Sequence, residues 1–212
     1  MDKRYCIFDM DGTLVDSMPY WKSLGGDYIR SKGAEPDGRL NWMVQAMTMT
    51  EGAEYFIRTY GIPGPPERVV AEMEAMMAER YRRDAALKPG AGEYLAALRA
   101  RGCRLCAATA TAELLARQCF RRLGVEGLFE FVLSCETLGV SKSSPDVYLR
   151  AAEGLGARPE ECAVFEDALY AAKTAKEAGF YTVAVREGTY ARDWPELCRL
   201  ADENILDWRE LL

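Results

Sequence analysis

Two aspartates one residue apart carry the clearest chemical pattern in the sequence. Asp9 and Asp11 lie within the segment Phe8-Asp9-Met10-Asp11-Gly12-Thr13, directly after a short apolar stretch. In an extended chain, residues at i and i+2 point to the same side, so the two carboxylates face one region. Such a pair attracts Mg²⁺, which combines a few carboxylates with substrate phosphate and water. A calcium loop that starts at Asp9 is excluded, because Leu14 stands where that loop requires glycine.

Further polar residues follow later apolar stretches. Thr109 and Ala110 offer a hydroxyl and backbone N–H groups at the start of a predicted helix, an arrangement that binds phosphate. Lys142 lies in a loop that leads into another helix, and Glu166 and Asp167 form a second acidic pair. Taken singly, the threonine is equally typical of a helix cap, and the lysine is typical of a solvated surface. As a set, these residues predict one site for phosphate and metal.

Short apolar runs alternate with helical patterns and predict a parallel sheet covered by helices. Runs this short suit strands that are buried on both faces. We therefore expect an α/β fold with a doubly wound, Rossmann-like parallel sheet. Its ligand crevice would lie outside the carboxyl ends of the strands, where the polar residues are placed. The predicted strands cover residues 5–8, 103–108, 131–134, 163–165, 181–185 and 204–206, and the predicted helices cover 90–101, 112–123, 145–155 and 168–178.

One interval of about 70 residues interrupts this alternation and is too long for a crossover between neighbouring strands. It contains no convincing strand. Its helical segments are predicted at 19–32, 40–47, 51–60 and 66–83. We expect a helical cap domain over residues 16–87, inserted into an α/β core domain formed by residues 1–15 and 88–212.

Composition limits the classes of function. The 212 residues include 27 Lys and Arg against 33 Asp and Glu, a net charge of −6 that argues against nucleic-acid binding. Histidine is absent, which excludes Ser-His-Asp and Cys-His catalysis. We expect no membrane partner and a cytoplasmic location, because no segment is apolar enough to span a membrane and no signal-peptide pattern is present. The seven cysteines, including Cys103 and Cys106 in a C-x-x-C, are expected to be reduced core residues.

Together the motifs resemble those of the haloacid dehalogenase-like (HAD) superfamily. The helical insert is similar to the C1-type cap of that family, and the closest branch is that of β-phosphoglucomutase and phosphoglycolate phosphatase. The chain departs from the pattern at Ser143, where proline is usual, and at Ala168 and Ala171, where the branch often has serine and glycine. In order along the whole chain, the matching residues are Asp9-Met10-Asp11-Gly12-Thr13, Thr109, Lys142 with Pro145-Asp146, and Glu166-Asp167.

The resemblance implies a phosphatase that works through an aspartyl-phosphate. Asp9 would attack phosphorus, while Asp11 would protonate the leaving oxygen and later deprotonate the attacking water. Mg²⁺ is the implied cofactor and would neutralise charge between carboxylate and phosphate. Its implied ligands are Asp9, the backbone carbonyl of Asp11 and Asp167, with Glu166 bound through water. The residues that would hold the phosphoryl oxygens are Thr109, Ala110 and Lys142.

The expected partner is a small phosphorylated metabolite whose identity is set by the cap. The candidate specificity residues are Trp21, Trp42, Met47 and Met49, although packing inside the cap accounts for them at least as well. A sugar-phosphate mutase similar to β-phosphoglucomutase is the alternative function. It is disfavoured because those mutases have a histidine at the position of Trp21. A catalytically silent binding protein also stays open, and the expected assembly is a monomer or weak dimer.

Overall fold

The structure, a computed structural model, describes residues 2–44, 47–189 and 191–212. The chain forms two compact units, one made of Met1–Asp16 with Ala85–Leu212 and the other of Ser17–Asp84. The first unit is built on a sheet and the second on helices. Within the described ranges, no helix is both long enough and apolar enough to cross a membrane.

A sheet of six parallel strands forms the centre of the first unit. In spatial order the strands are β3 (Phe131–Ser134), β2 (Arg104–Thr109), β1 (Tyr5–Phe8), β4 (Cys162–Glu166), β5 (Tyr181–Val185) and β6 (Glu203–Ile205). The chain runs outward to β2 and β3 on one side of β1 and to β4, β5 and β6 on the other. This reversal at β1 is the switch point of a doubly wound sheet. The predicted α/β, Rossmann-like fold is confirmed.

The burial of the central strands explains why their sequences are apolar runs. Every residue of β4 is buried, and so are the last three residues of β1. Side chains of a strand that is covered on both faces have no solvent side on which to alternate. The predicted bounds of β2 are wrong by one residue at each end. Pairing of Arg104 with Tyr5 begins the strand, and pairing of Thr109 with Ser134 extends it.

The described residues of the second unit form four helices. They are α1 (Met18–Ser31), α2 (Leu40–Val44), α3 (Met49–Tyr60) and α4 (Pro66–Arg83). The helix predicted from residue 51 starts two residues earlier because Thr48 caps it. Thr48 Oγ1 accepts a hydrogen bond from the Glu51 backbone N–H at 3.2 Å, and the Thr48 N–H donates to Glu51 Oε2 at 2.7 Å. Of the helix predicted over 40–47, the structure describes Leu40–Val44, and residues 45 and 46 lie outside the described residues.

Further helices cover the sheet of the first unit. They are α5 (Ala91–Ala100), α6 (Glu113–Arg122), α7 (Cys135–Leu138), α8 (Asp146–Leu155), α9 (Leu169–Glu177) and α10 (Trp194–Leu200), with 3₁₀ helices at Glu126–Leu128, Pro159–Glu161 and Trp208–Leu211. The bounds of α5, α6, α8 and α9 fall within one residue of those predicted. The sequence did not predict α7 and α10, because helices of four and seven residues are too short to show an apolar period.

All seven cysteine thiols are free, and six of them are buried. The Cys103 thiol donates a weak hydrogen bond to the Lys3 carbonyl at 3.7 Å. Cys106 lies inside β2 and is fully buried. The C-x-x-C pair therefore fills core space, as the sequence predicted.

Candidate active site

Three adjacent strands end in polar residues at one edge of the sheet. Asp9 directly follows β1, Thr109 is the last residue of β2, and Glu166 is the last residue of β4, followed by Asp167. β1 pairs in parallel with both β2 and β4. The carboxyl ends of the three strands therefore meet, and residues far apart in the sequence share one region.

Backbone hydrogen bonds turn the loop after β1 back on itself. The Asp9 N–H continues the sheet by donating to the Phe165 carbonyl at 3.1 Å, and the Val15 N–H donates to the Met10 carbonyl at 2.8 Å. Gly12 has a φ of 85°, a left-handed conformation that glycine adopts at little cost. The turn keeps both aspartates of the loop at the sheet edge.

Trp208 ties this loop to the last 3₁₀ helix. Its indole N–H donates to the Thr13 carbonyl at 3.1 Å, and the Thr13 hydroxyl donates to Asp167 Oδ1 at 3.1 Å. The Trp208 ring also packs 6.0 Å from the Phe8 ring and 5.4 Å from the Phe165 ring. Each of these phenylalanines directly precedes an acidic residue of the site. A packed aromatic core thus fixes where the acids lie.

Lys142 is buried and pairs with two acids. Its ammonium donates a hydrogen bond to Asp9 Oδ1 and another, of 2.6 Å, to Glu166 Oε1. The Lys142 side chain is only 4% exposed, so these carboxylates replace water around the charge. Glu166 Oε1 accepts a further hydrogen bond from the Tyr148 hydroxyl at 2.6 Å. Lys142 is therefore not the solvated lysine that a loop position usually holds.

Asp9, Glu166 and Asp167 form a buried group of three carboxylates, called the acidic cluster below. One oxygen from each lies within 4.8 Å of the others. Among the described residues, Asp9 Oδ2 and Asp167 Oδ2 are buried without a hydrogen-bond partner. Leaving such oxygens unsatisfied is costly. A hard divalent cation takes oxygen ligands and would satisfy both, so the acidic cluster fits Mg²⁺.

The charge balance of the acidic cluster also favours a cation. Lys142 sets one positive charge against three carboxylates. Burial raises the pKa of Asp9 to about 7, and Lys142 offsets only part of this rise. Burial, followed by the charge of Asp9, raises the pKa of Asp167 well above its usual range. Burial lowers the pKa of Lys142, but the charges of Asp9 and Glu166 outweigh it and hold that pKa above its usual range.

Asp11 has a different partner and a different environment. The Thr111 hydroxyl donates to Asp11 Oδ2 at 2.6 Å. Asp11 is partly exposed, whereas Asp9 is buried. The carboxylate of Asp11 is not a member of the acidic cluster found in the described part of the chain. A partly exposed acid beside the acidic cluster suits proton exchange with a leaving group or with water.

Thr109 and Ala110, the residues predicted to hold phosphate, lie where β2 ends: Thr109 is its last residue, and Ala110 begins the turn that leads to α6. Thr109 is fully buried, and its Oγ1 accepts a hydrogen bond from the Thr111 N–H at 3.0 Å. Ala110 is exposed. Because α6 begins only at Glu113, the two residues precede the helix and do not stand at its first turn.

The four candidate specificity residues belong to the helical unit. Trp21 lies in α1, and its indole N–H donates to the Tyr81 hydroxyl at 3.0 Å within that unit. Trp42 is 74% exposed. Met47 and Met49 are partly buried. The contact of Trp21 supports the packing interpretation for that residue, and the specificity role of the other three stays a prediction.

Sequence reasoning missed two hydroxyls of the site. Thr111 could have been found, because it lies only two residues after Thr109, in the turn that follows β2. Tyr148 was harder to find, because an aromatic residue at a helical period is ordinarily core. Glu166, which accepts the hydrogen bond from the Tyr148 hydroxyl, is 18 residues further along the chain.

An aspartate-based site at the switch point of a doubly wound sheet is the arrangement of an α/β enzyme whose ligand binds outside the carboxyl ends of the strands. Comparison with known proteins agrees with this class. Residues 3–179 match the family model described as haloacid dehalogenase-like hydrolase, and the chain belongs to that family.

Individual relatives in this family include one that is named as a phosphatase. It is similar to protein CbbY of Rhodobacter capsulatus, with 28% identity over 222 residues that cover 99% of this chain and 93% of the relative. It is 28% identical over 177 residues to a phosphorylated carbohydrates phosphatase of Thermotoga maritima, covering 82% of this chain and 80% of the relative. A solved structure of a putative β-phosphoglucomutase from Thermotoga maritima has a TM-score of 0.84 and 24% identity, covering 99% and 100% of the two chains. The structural match shows a shared fold.

Proposed function

We propose that this protein is a Mg²⁺-dependent phosphatase that hydrolyses a small phosphomonoester through an aspartyl-phosphate on Asp9. The observation that carries the proposal is the state of the Asp9 carboxylate. Lys142 binds one of its oxygens, and the other is buried without a hydrogen-bond partner in the described chain. A carboxylate held in this way suits both nucleophilic attack and metal binding. A relative named as a phosphatase supports the reaction class.

The acidic cluster would hold the metal ion. Asp9 and Asp167 would be direct ligands, with the backbone carbonyl of Asp11 as a third, and Glu166 would complete the set. When bound, Mg²⁺ neutralises charge between carboxylate and phosphate. The two unpartnered oxygens support this assignment, because no other described group satisfies them.

In the first step, an oxygen of Asp9 attacks phosphorus and the bond from phosphorus to the leaving oxygen breaks. Asp11 gives its proton to that leaving oxygen. The charge of Lys142 reduces the repulsion between the Asp9 carboxylate and the phosphate, and its ammonium would bind a phosphoryl oxygen. The Thr109 hydroxyl and the Ala110 N–H would hold the other phosphoryl oxygens.

In the second step, water replaces Asp9 on phosphorus. Asp11, now ionised, takes a proton from the attacking water, and the bond between phosphorus and Asp9 breaks. Inorganic phosphate leaves, and both aspartates return to their starting states. The hydrogen bond from Thr111 to Asp11, 2.6 Å long, would hold the proton carrier in place for both transfers.

For the substrate we propose a small phosphorylated sugar or similar metabolite, with the helical unit acting as a cap that contacts the leaving group. The relative named as a phosphorylated carbohydrates phosphatase supports the sugar class. Residues 41–49, which include Trp42, Met47 and Met49, contain no Lys or Arg. We therefore expect uncharged or partly apolar leaving groups to be preferred over bisphosphates. A strong preference for a bisphosphate in a substrate panel would contradict this.

Phosphate release from a panel of phosphomonoesters, with and without Mg²⁺, tests the proposal. Asp9→Asn should lower turnover more than 100-fold, a barrier increase above about 2.7 kcal/mol, because an amide does not attack phosphorus. Asp193→Asn is the matched control, since Asp193 is exposed and makes no capping hydrogen bond at the start of α10. A D9N variant that keeps more than about one hundredth of wild-type turnover would exclude Asp9 as the nucleophile.

Two further measurements test for the aspartyl-phosphate intermediate and for mutase activity. Asp11→Asn should accumulate a phosphoryl adduct on Asp9 from an activated ester, seen by intact-mass measurement. Failure to find the adduct in either the wild type or the variant would remove the two-step scheme.

The mutase alternative is tested with β-glucose 1-phosphate and a trace of the 1,6-bisphosphate. We expect free phosphate, because the chain has no histidine to delay hydrolysis. Glucose 6-phosphate forming many times faster would establish the mutase.

A further inference from the structure

Tyr148 is fully buried beside the acidic cluster, and the proposed reaction gives this tyrosine no role. It lies in the first turn of α8, and its hydroxyl donates to Glu166 Oε1 at 2.6 Å. The same oxygen accepts the hydrogen bond from Lys142, also at 2.6 Å. The Lys142 ammonium lies 6.0 Å from the centre of the Tyr148 ring. Two donors from one segment, Lys142 in the loop before α8 and Tyr148 in its first turn, therefore meet at one carboxylate oxygen.

We propose that Tyr148 is a positioning residue that fixes the Glu166 carboxylate, so that Glu166 stays oriented toward the divalent cation of the acidic cluster. The inference rests on the proposed function, because it assigns Tyr148 a part in metal binding. Two strong donors on Oε1 set the plane of the carboxylate and with it the direction of the second oxygen. Groups that orient metal ligands in this way typically change metal affinity about 10- to 100-fold when removed.

The chemistry of the phenol suits a permanent donor. Burial, together with the charge of Glu166, raises the pKa of Tyr148 well above its usual range. An ionised carboxylate only accepts hydrogen bonds, so in this contact the Tyr148 hydroxyl is the donor. The Tyr148 ring packs 6.1 Å from the Phe180 ring, so replacement by phenylalanine keeps the packing and removes the donor alone.

The chain offers a matched control for this change. The Tyr181 hydroxyl donates to Glu203 Oε1 at 2.7 Å, which is the same pair of groups at nearly the same distance. Tyr181 is the first residue of β5, so it lies at the opposite edge of the sheet from the carboxyl ends that form the site. Tyr181→Phe removes an equivalent hydrogen bond without touching the acidic cluster.

Calorimetric titration with Mg²⁺ alone, without substrate, tests the inference on the wild type, Y148F and Y181F. We expect Y148F to bind Mg²⁺ about 10-fold more weakly and Y181F to stay within about twofold of the wild type. Y148F binding Mg²⁺ as tightly as the wild type would overturn the role of Tyr148 and leave the proposed function standing. A wild type that binds no Mg²⁺ would overturn the proposed function and this inference together.

A double-mutant cycle with Glu166→Gln shows whether Tyr148 acts through Glu166. In the E166Q background the carboxylate is gone, so adding Y148F should weaken Mg²⁺ binding further by less than about threefold. A loss as large as in the wild-type background would mean that Tyr148 acts through general packing, which contradicts the proposal. Thermal unfolding of each variant identifies any loss of fold.

Discussion

Replacing Lys142 by methionine measures what the buried lysine contributes. Methionine keeps much of the side-chain volume but removes the charge that pairs with Asp9 and Glu166. Breaking a buried ion pair by removing one partner costs about 3–5 kcal/mol. Proton uptake by Asp9, whose pKa burial raises to about 7, recovers part of this cost. We expect metal-free K142M to lose about 2–4 kcal/mol at neutral pH, a fall in Tm of roughly 5–15 °C.

Stability and activity should respond differently to metal in this variant. Mg²⁺ can balance the acids and restore much of the Tm, but it cannot replace the ammonium on a phosphoryl oxygen. We expect kcat/KM to fall at least about 100-fold even at saturating Mg²⁺. Thermal unfolding and phosphate release, each with and without Mg²⁺, measure the two effects. Lys176→Met is the control, because Lys176 pairs with Asp202 at 2.5 Å on the surface, where such pairs contribute about 1 kcal/mol or less. The reasoning fails if K142M has the Tm of the wild type without metal, or keeps more than about one tenth of its activity.

Two further perturbations probe the aspartates one at a time. Thr111→Val removes the hydroxyl that binds Asp11, so kcat should fall about 10-fold with little change in KM, as measured by steady-state kinetics, and an unchanged kcat would contradict a positioning role. Without divalent metal, Asp9 holds a proton in the folded protein between its ordinary pKa of 3.8 and about 7, so its contribution to stability should fall as pH rises through that window. Between pH 5 and pH 7.5, urea unfolding in EDTA should show a larger decrease in the free energy of unfolding for the wild type than for Asp9→Asn. An equal decrease in both proteins would refute the assignment.

The sheet could be predicted because its signal is local. Strands buried on both faces are apolar along their whole length, and helices between them end at glycines such as Gly156, whose φ is 69°. The start of α3 could not be located as well, since Thr48 and Thr50 are equally good caps by residue type. Only the reciprocal contact of Thr48 with Glu51 decides between them.

The positions of Lys142 and of the acidic cluster could also be predicted from local patterns, whereas their hydrogen-bond partners could not. A motif residue is tied to the end of its own strand, so its position follows from local pattern once the strand is found. Hydroxyl and indole partners depend instead on which strands become neighbours. Thr111 reaches Asp11 across 100 residues of sequence and Trp208 reaches Thr13 across 195.

Strand order explains why those distant contacts converge. Because β1 lies between β2 and β4, the loop after β1 is within reach of the turns that follow both neighbours. The length of chain between motifs can then vary without moving the acids, whereas a shift of one residue along any strand would displace its acid from the edge. Phe8 and Phe165 resist that shift, because their rings stack at 4.5 Å directly before Asp9 and Glu166. The apolar core therefore holds the register on which the chemistry of the site depends.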